Sequence, residues 1–415
     1  MSRLLQEAAL AGEDVAWLKE YRGRGRERFA AQGIPSAKTE AWKYTKPNMF
    51  LQNDLVYQQV VDEVRNRPEL PFETYKISFV NGIFAPQLSN LPPKIEILPM
   101  IEAAMFYPEA QALIGKLTDT TKHPFAALND AYFNEGCYIR LEANTALDKP
   151  IALMYHTTQE ARGGMMHLHN LIVLESGAKA ELIEQHSYEG EVKLNYFANI
   201  VNEIRLETKA QLQHYKYQNE AFKAVHIALN VVNVKSGGIY KSFCLQKGAD
   251  LARNETQVVL SEPEAEAQVN AAYMMNGWAT LDTTTDIEHT CEKTFSSQLV
   301  KGVVGGQAKG VFQGKIHIAP LAAKTQGYQQ HRALLLSDEA EVDVKPELEI
   351  FADDVKCSHG AACGQLDAEQ LFYMRSRGIG EEEAKAMLID AYLDEVIAKV
   401  DNEKVSEWIK SLLKM

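Results

Sequence analysis

The sequence predicts a mainly β protein with helical regions at both ends. From Cys137 to about Ile350, apolar and polar residues alternate in short runs separated by turns, such as LHNLIVLE, AELIEQHS and GKIHIAP. Before this region and after Leu371, apolar residues instead recur at helical spacing. We therefore expect a long all-β region between two helical ones.

Residues 1–135 are predicted to form an N-terminal helix-rich region. Up to about residue 60, apolar side chains recur at helical spacing, among them Leu4, Leu5, Ala8, Ala9, Val15, Trp17, Leu18 and Tyr21. An extended piece, TYKISFVNGIF, follows, and its Asn81-Gly82 pair indicates a tight turn. Helical patterning returns at about residues 107–132.

Residues 136–365 are predicted to form the β core. Four segments within it, beginning at Gly177, Gly248, Glu264 and Glu339, each combine a turn, a small residue and an alternating strand. Small residues at corners suit a coiled sheet in which each turn stacks on the last. A β-sandwich produces the same alternation, so the pattern leaves both architectures open. The glycine-rich stretch 302–310 is interpreted as loops and corners, because it lacks the helix and the Lys-Ser/Thr of a phosphate loop.

Residues 366–415 are predicted to form a C-terminal helical region. In EEEAKAMLIDAYLDEVIAKV, helical spacing places one set of apolar side chains on a single face: Ala384, Met387, Leu388, Ala391, Tyr392, Val396 and Ile397. A second short helix, VSEWIKSLLKM, follows. So short a helical tail must cover its apolar face with the β core or with a partner.

The composition of the chain excludes several classes of protein function. The chain has 415 residues, of which 46% are hydrophobic and 24% charged, as in a soluble globular protein with a large core. Its net charge of -13 argues against a nucleic-acid surface, and no segment reaches the roughly 18 apolar residues of a membrane span. The N-terminus lacks the apolar stretch of a signal peptide, and five thinly spread cysteines suit a reducing compartment. We expect a cytoplasmic protein that binds neither nucleic acid nor membranes.

Several familiar catalytic and nucleotide-binding motifs are absent from the sequence. It contains neither a phosphate loop nor the dinucleotide-binding glycine pattern, and no C-x-x-C, H-E-x-x-H or G-x-S-x-G. His167 and His169 alternate on a predicted strand, and we interpret them as core or surface residues rather than ligands.

The stretch DDVKCSHGAACG, residues 353–364, is the strongest candidate site. If residues 355–359 continue as a strand, Cys357 and His359 point to the same face, about 6–7 Å apart. A thiolate and an imidazole together suit iron, zinc or an iron-sulfur cluster. Two or three ligands are fewer than the usual four, so the others would come from another subunit.

Two other chemistries compete at this stretch. Thiol catalysis needs the imidazole about 3 Å from the sulfur, which neighbours at i and i+2 on a flat strand do not readily achieve. Asp353 and Asp354 suggest the acid/base pair of a free-standing β-helix enzyme that acts on a polysaccharide, but adjacent strand residues face opposite sides. Capping the last turn of the core through loop amides is the competing role for these aspartates.

Several longer motifs carry a family resemblance. Between Gly310 and Gly378 stand FQGKIHIAP, AAKTQGYQQ, PELEIFADDVKCSHGAACGQLD and LFYMRSRGI, which closely resemble the SufB/SufD family of iron-sulfur cluster assembly proteins. EAWKYT at residues 40–45 matches the N-terminal signature of this family, so the resemblance spans nearly the whole chain. The modest length and the absence of extra N-terminal cysteine motifs make the chain more similar to the SufD branch than to SufB.

This resemblance implies a right-handed parallel β-helix flanked by N- and C-terminal helical regions, which favours the coiled sheet over the sandwich. It also implies a non-catalytic scaffold subunit in a complex with a SufB-like subunit and a SufC-like ABC ATPase. The ATPase would dock on residues 366–415 and hydrolyse ATP. The nascent cluster would be built where this chain meets the SufB-like subunit.

Site residues follow from the same resemblance. His359 falls on the histidine of the family's C-S-H-G-A motif, and Cys357 on its neighbouring cysteine, so both would hold iron or a transient cluster shared with SufB. Where the family commonly has A-T-V-G, this chain has Cys363 in the third position, either as a third candidate ligand or as a small packing residue. Flavin is a further candidate cofactor. Because the strand edges at the end of the β-helix would be uncovered, the isolated chain is expected to homodimerise.

Overall fold

The computed structural model describes residues 3–47, 51, 55–60, 62–65, 69–92 and 95–413. Within them the strands are β1 Val56–Tyr57, β2 Tyr75–Val80, β3 Ile83–Phe84, β4 Glu96–Pro99, β5 Cys137–Leu141, β6 Ile151–Thr157, β7 Gly164–Leu174, β8 Lys179–Tyr188, β9 Phe197–Leu206, β10 Gln211–Gln218, β11 Val225–Val234, β12 Ile239–Gln246, β13 Leu251–Leu260, β14 Glu266–Met275, β15 Thr280–His289, β16 Phe295–Val304, β17 Lys309–Ile318, β18 Gln326–Leu335, β19 Glu341–Ile350 and β20 Lys356–Gly364. The α-helices are α1 Ala16–Gln32, α2 Met100–Phe106, α3 Pro108–Leu113, α4 Pro124–Ala131, α5 Ala368–Ser376, α6 Glu381–Ile397 and α7 Glu403–Leu413.

Successive strands alternate between two sheets. The first sheet runs β19-β17-β15-β13-β11-β9-β7-β5-β4, and the second runs β20-β18-β16-β14-β12-β10-β8-β6-β2-β3. From β5 to β20 each strand pairs in parallel with the strand two places later, so the chain coils through about eight turns. The predicted mainly β fold, a parallel β-helix flanked by helical regions, is confirmed. The sandwich alternative is wrong, because a sandwich is built from antiparallel sheets.

The interior of the coil is built from columns of aligned side chains. Most columns are apolar, for example Ile172, Ile204 and Val232, which occupy the same position on β7, β9 and β11. One column is polar: Asn170, Asn202, Asn230 and Thr256 lie in register and donate side-chain hydrogen bonds from each to the next at 2.7–3.2 Å. These bonds satisfy amides that would otherwise be costly to bury.

The corners of the coil carry the small residues that the sequence pattern singled out. Ala178 and Ala265 are fully buried at two of these corners. Gly177 and Glu264, one residue earlier in each case, adopt left-handed φ angles of 73° and 63°. The predicted combination of a turn with a small residue is therefore confirmed, since each corner must reverse the chain without obstructing the next turn.

The glycine-rich stretch is only partly a corner. Gly306 lies at one, with φ of 64°, but Gly302 belongs to β16 and Gly310 to β17. A Cβ atom on Gly302 would lie 2.1 Å from the buried Tyr273 ring, and one on Gly310 would lie 2.9 Å from it. The interpretation of 302–310 as loops was wrong at these two positions, because the glycines make room for an aromatic ring on the preceding turn of the coil.

The N-terminal region packs on the outer face of the first sheet. Tyr21 of α1 donates a 2.6 Å hydrogen bond to Asp130 of α4. The buried carboxylate of Glu203, on β9, accepts hydrogen bonds from the backbone amides of Gly115, Leu117 and Thr118 at 2.6–3.0 Å. These contacts fix the region to the coil.

Two expectations for residues 1–135 have different outcomes. The turn at Asn81-Gly82 is confirmed: φ angles of 51° and 80° join β2 to β3 as a tight hairpin, and β2 begins the second sheet. After α1, helix was wrong for residues 33–46 and 55–60, which hold one short 3-10 helix and β1. It was also wrong for residues 3–15, which form turns and irregular backbone. In residues 3–15 the backbone amide of Gln6 donates to the Tyr132 hydroxyl, and its carbonyl accepts from the Arg26 side chain. These side-chain contacts replace the backbone hydrogen bonds of a helix.

The C-terminal helices lie on the outer face of the second sheet. The buried face of α6 is formed by Ala384, Ile389, Leu393, Val396 and Ile397. This face is turned relative to the predicted one, since Met387 and Ala391 are exposed. The buried face of α6 packs against the β core, in an apolar cluster that includes Phe243 and Leu299.

None of the helices in the described ranges is both long and apolar enough to cross a membrane.

Candidate functional site

The last turn of the β-helix is open on one side. Among the described strands, β20 pairs with β18 alone, so its other edge is uncovered. Eight of its nine residues are exposed, and the exception, Cys357, is partly buried. We call this strand the terminal rung.

Cys357 and His359 share one face of the terminal rung. Cys357 lies in register with Gly327, and His359 with Gln329, on the neighbouring strand β18. Gln329 is buried and faces the interior, because its side chain lies against the backbone of Gly314 on the opposite sheet. Alternation on the strand therefore directs Cys357 and His359 toward the interior side of the coil, on the same face as the sequence spacing predicts.

Cys357 is more buried than His359. Its side chain packs against the apolar cluster of Ile316, Ile318 and Ala322. Burial raises the pKa of the thiol above its usual value, against the opposing effect of a hydrogen bond from the Gly327 backbone amide. The thiol is protonated at neutral pH, so binding a metal would release a proton.

Cys363 shares this face but lies further along. It is in register with Ala333, four residues beyond His359, which corresponds to about 13 Å of strand. That separation is too long for Cys363 and His359 to bind one and the same ion. A role for Cys363 as a ligand stays a prediction, and it would apply to a separate position on the terminal rung.

Asp353 and Asp354 lie in the turn before the terminal rung. Both are exposed. Asp354 adopts a left-handed φ of 52°, and its carbonyl accepts a 2.8 Å hydrogen bond from the amide of Lys324 on the preceding turn. This hydrogen bond caps the last turn of the coil, which is the role that competes with acid/base chemistry for these aspartates. It is made by the backbone carbonyl of Asp354 and not by its carboxylate.

A groove of about 470 Å³ borders the terminal rung. It is lined by His359 and Ser358, by Gln298 and Gln329, and by Lys399 just beyond α6. The candidate site is therefore reachable from the side of the C-terminal helices as well as from the open end.

Two family models match this chain. The SUF system FeS cluster assembly, SufBD core domain, matches residues 156–392, and the SufBD protein N-terminal region matches residues 5–153. The chain belongs to the SufBD family. The core-domain match includes the whole of β20, so Cys357 and His359 lie inside it.

Relatives of this SufBD-family chain match over nearly their full length. An iron-sulfur cluster assembly SufBD family protein of Synechocystis sp. is 30% identical, over 96% of this chain and 91% of the relative. The iron-sulfur cluster assembly protein SufD of Escherichia coli is 30% identical, over 92% and 89%. The protein of the same name from Bacillus subtilis is 25% identical, over 97% and 94%. The resemblance identified from the motifs is confirmed.

The histidine pair of β7 has the structural role expected for it. His167 and His169 are buried on the outer face of the first sheet. The ring of His167 stacks on Tyr132, and His169 contacts Asn129 at 3.2 Å and Glu203 at 3.2 Å. Both residues help to attach the N-terminal region of this SufBD-family chain to its coil.

Sequence reasoning missed a charged cluster inside the coil. Glu184, His186, His214, Lys216 and His226 are all nearly or fully buried. The signal was present in AELIEQHS, because Glu184 and His186 share the alternation phase of the inward-facing Leu182. Polar residues in the core phase of a strand are the pattern that would have revealed this cluster.

Proposed function

We propose that this SufBD-family chain is a non-catalytic scaffold subunit of a SUF-type iron-sulfur cluster assembly complex. The family match and the names of its relatives support the assembly role. One observation carries the proposal: Cys357 and His359 lie on the interior side of the terminal rung, whose uncovered edge is where a further turn of β-helix would pair.

A SufB-like subunit is the proposed partner at this end. Two strands terminate the coil, but their edges differ. On β19, Lys345, Pro346 and Glu347 are consecutive, and charges and proline discourage strand pairing. On β20, the eight residues after Lys356 carry no carboxylate, lysine or arginine. The terminal rung is therefore the edge suited to pair with another chain.

Iron or a nascent cluster is the proposed cargo at this interface. Cys357 and His359 offer a sulfur and a nitrogen ligand, which suit iron. Two ligands are too few for a stable site, so the partner subunit would complete the set. Cys363 is kept as a further candidate ligand at the other end of the rung.

A SufC-like ABC ATPase is proposed to dock on the C-terminal helical region, residues 366–415, and to perform the ATP hydrolysis. The inner face of α6 already packs on the β core, so docking must use other surfaces. Phe372 and Tyr373 on α5 are 75% and 59% exposed, and Met387 on α6 is 49% exposed. These large apolar side chains form the proposed docking surface.

The proposal is tested by measuring iron and acid-labile sulfide in the anaerobically purified complex of this chain with its companion subunits. His359→Ala is expected to lose both at unchanged subunit stoichiometry, because it removes the nitrogen ligand without altering the strand. Ser358→Ala, the neighbour on the opposite face, is the matched control and should retain both. Retention of both in His359→Ala would show that the terminal rung holds no cargo.

A further inference from the structure

Three potential metal ligands converge inside the β-helix, far from the terminal rung. His186 lies on β8, Glu220 follows β10, and His226 lies on β11. Their ligand atoms all lie within 4.8 Å of one another, and the three residues are at most 4% exposed. We call them the interior triad.

The contact between His226 and Glu220 has the spacing of two ligands on one ion. Nδ1 of His226 lies 2.9 Å from Oε2 of Glu220, a close ion-pair contact that lacks the geometry of a good hydrogen bond. Metal bonds of about 2.1 Å place neighbouring ligand atoms about 3.0–3.4 Å apart for octahedral to tetrahedral angles. The pair is close enough to bind an ion without a change of backbone.

The triad also has the supporting contacts of a metal site. Nε2 of His186 lies 3.3 Å from Oε2 of Glu184, a carboxylate behind an imidazole, which leaves Nδ1 of His186 for an ion. Gln218 donates a 3.0 Å hydrogen bond to Oε2 of Glu220 and orients that carboxylate. Such contacts fix ligand orientation in known metal sites.

A small cavity adjoins the triad. It has a volume of about 10 Å³ and is lined by His186 and Glu220, together with Tyr155, Met166 and Gly82. A space of roughly 10–15 Å³ is about that of one water molecule. It therefore offers room for one ion or one water ligand, and it extends to the turn between β2 and β3.

One cation already faces the triad. Nζ of Lys216 lies 3.0 Å from Nε2 of His226 and opposes the binding of a positive ion. Two buried carboxylates, those of Glu184 and Glu220, outnumber this single ammonium group. The local charge thus favours a divalent cation, and Lys216 limits its affinity.

We propose that His186, Glu220 and His226 bind one divalent transition-metal ion of the Fe²⁺ or Zn²⁺ class inside the β-helix. Two imidazoles and one carboxylate are the donor set that such ions prefer. The residues of the interior triad lie four to six turns from the terminal rung, about 19–29 Å along the axis, so this site is independent of the proposed cluster interface.

The test uses the full chain carrying Cys357→Ser, His359→Ala and Cys363→Ser, so that the candidate ligands of the terminal rung are removed. Anaerobic titration with Co²⁺, followed by its visible absorption, is expected to show one equivalent bound. His226→Gln and Glu220→Gln should each weaken binding at least tenfold. His331→Gln, which changes another buried imidazole of the coil, is the matched control and should leave the titration unchanged.

A further variant tests the proposal without relying on a loss of binding, which a destabilised fold could also cause. Lys216→Met is expected to tighten Co²⁺ binding, a gain that misfolding cannot imitate. X-ray absorption of the Zn²⁺-loaded chain should show nitrogen and oxygen ligands with outer-shell scattering from two imidazoles. Absence of stoichiometric Co²⁺ binding, or equal binding by the parent chain and both triad variants, would overturn the proposal.

Discussion

Tyr273 shows how single residues set the packing inside the coil. Its buried ring lies between Gly302 and Gly310, and its hydroxyl bonds to Nε2 of His331 at 2.8 Å. A ring this large fits because the two neighbouring strands contribute no side chain at these positions.

Gly302→Ala is therefore expected to destabilise the protein. The added methyl would overlap the Tyr273 ring, and overpacking of this kind typically costs about 1–3 kcal/mol. The urea midpoint of unfolding should fall, whereas Gly360→Ala on the terminal rung, with nothing within 4 Å of its new Cβ, should leave it unchanged. Combining Gly302→Ala with Tyr273→Leu should cost less than the two single changes added together. Equal midpoints for Gly302→Ala and Gly360→Ala would contradict this account.

At the residue scale, sequence reasoning identified the terminal rung but not the interior triad. Cys357 and His359 are two residues apart on one strand, so alternation alone places them on one face. Glu220 is separated from His186 by 34 positions, and their meeting depends on how far the chain travels in each turn of the coil. Alternation fixes the face of a residue but not its neighbour on the next turn.

The two strands that end the sheets, β19 and β20, have edges of different character. The edge of β20 lacks the charges and proline that protect β19. On β20 itself, Ala361 shares the interior-facing side with His359, whereas Ala362 faces outward. These two alanines allow a matched test of self-association.

The isolated chain is expected to homodimerise through the terminal rung. Ala361→Lys should abolish dimers, because its inward-facing charge would be enclosed in the interior of the joined coils, whereas Ala362→Lys should be tolerated because its outward-facing side chain reaches solvent. Sedimentation velocity distinguishes the two species. A monodisperse monomer of the unsubstituted chain, or equal loss of dimer in both variants, would exclude pairing through this face.

At the element scale, the prediction succeeded where strands alternate and failed where tertiary contacts replace local ones. The hairpin at Asn81-Gly82 follows from two residues that tolerate positive φ. The apolar spacing of residues 3–15 suggested a helix, but there Leu4 is buried by neighbours distant in sequence. For α6, spacing gave the helix correctly but misplaced its buried face, which only the position of the sheet determines.

At the scale of the whole molecule, the coil buries imidazoles at several levels. Burial lowers the pKa of His167 to about 3 and the pKa values of His289 and His331 to about 4. In the unfolded chain a histidine has a pKa of about 6.5, so the unfolded state takes up these protons first as pH falls. Stability should therefore decline between about pH 6.5 and pH 4. Asp130 opposes this trend below pH 6, since burial raises its pKa to about 6.

The decline can be measured from urea midpoints at pH 7, 6 and 5. His331→Gln should flatten the pH dependence, because it removes an imidazole whose lowered pKa accounts for about 2 kcal/mol between pH 7 and pH 5. Gly360→Ala, which changes no titratable group, serves as the control and should leave the slope unchanged. A slope in His331→Gln as steep as in the unsubstituted chain would show that this buried imidazole does not govern acid sensitivity.

The coil also behaves as a one-dimensional array, in which the free energy of each turn depends mainly on its two nearest neighbours. An interior turn gains two stacking interfaces, while the terminal rung gains one. The part of the molecule that carries Cys357 and His359 is thus the part that can rearrange with the smallest loss of stacking. A subunit that stacks there extends the array by the same kind of interface that repeats along its whole length.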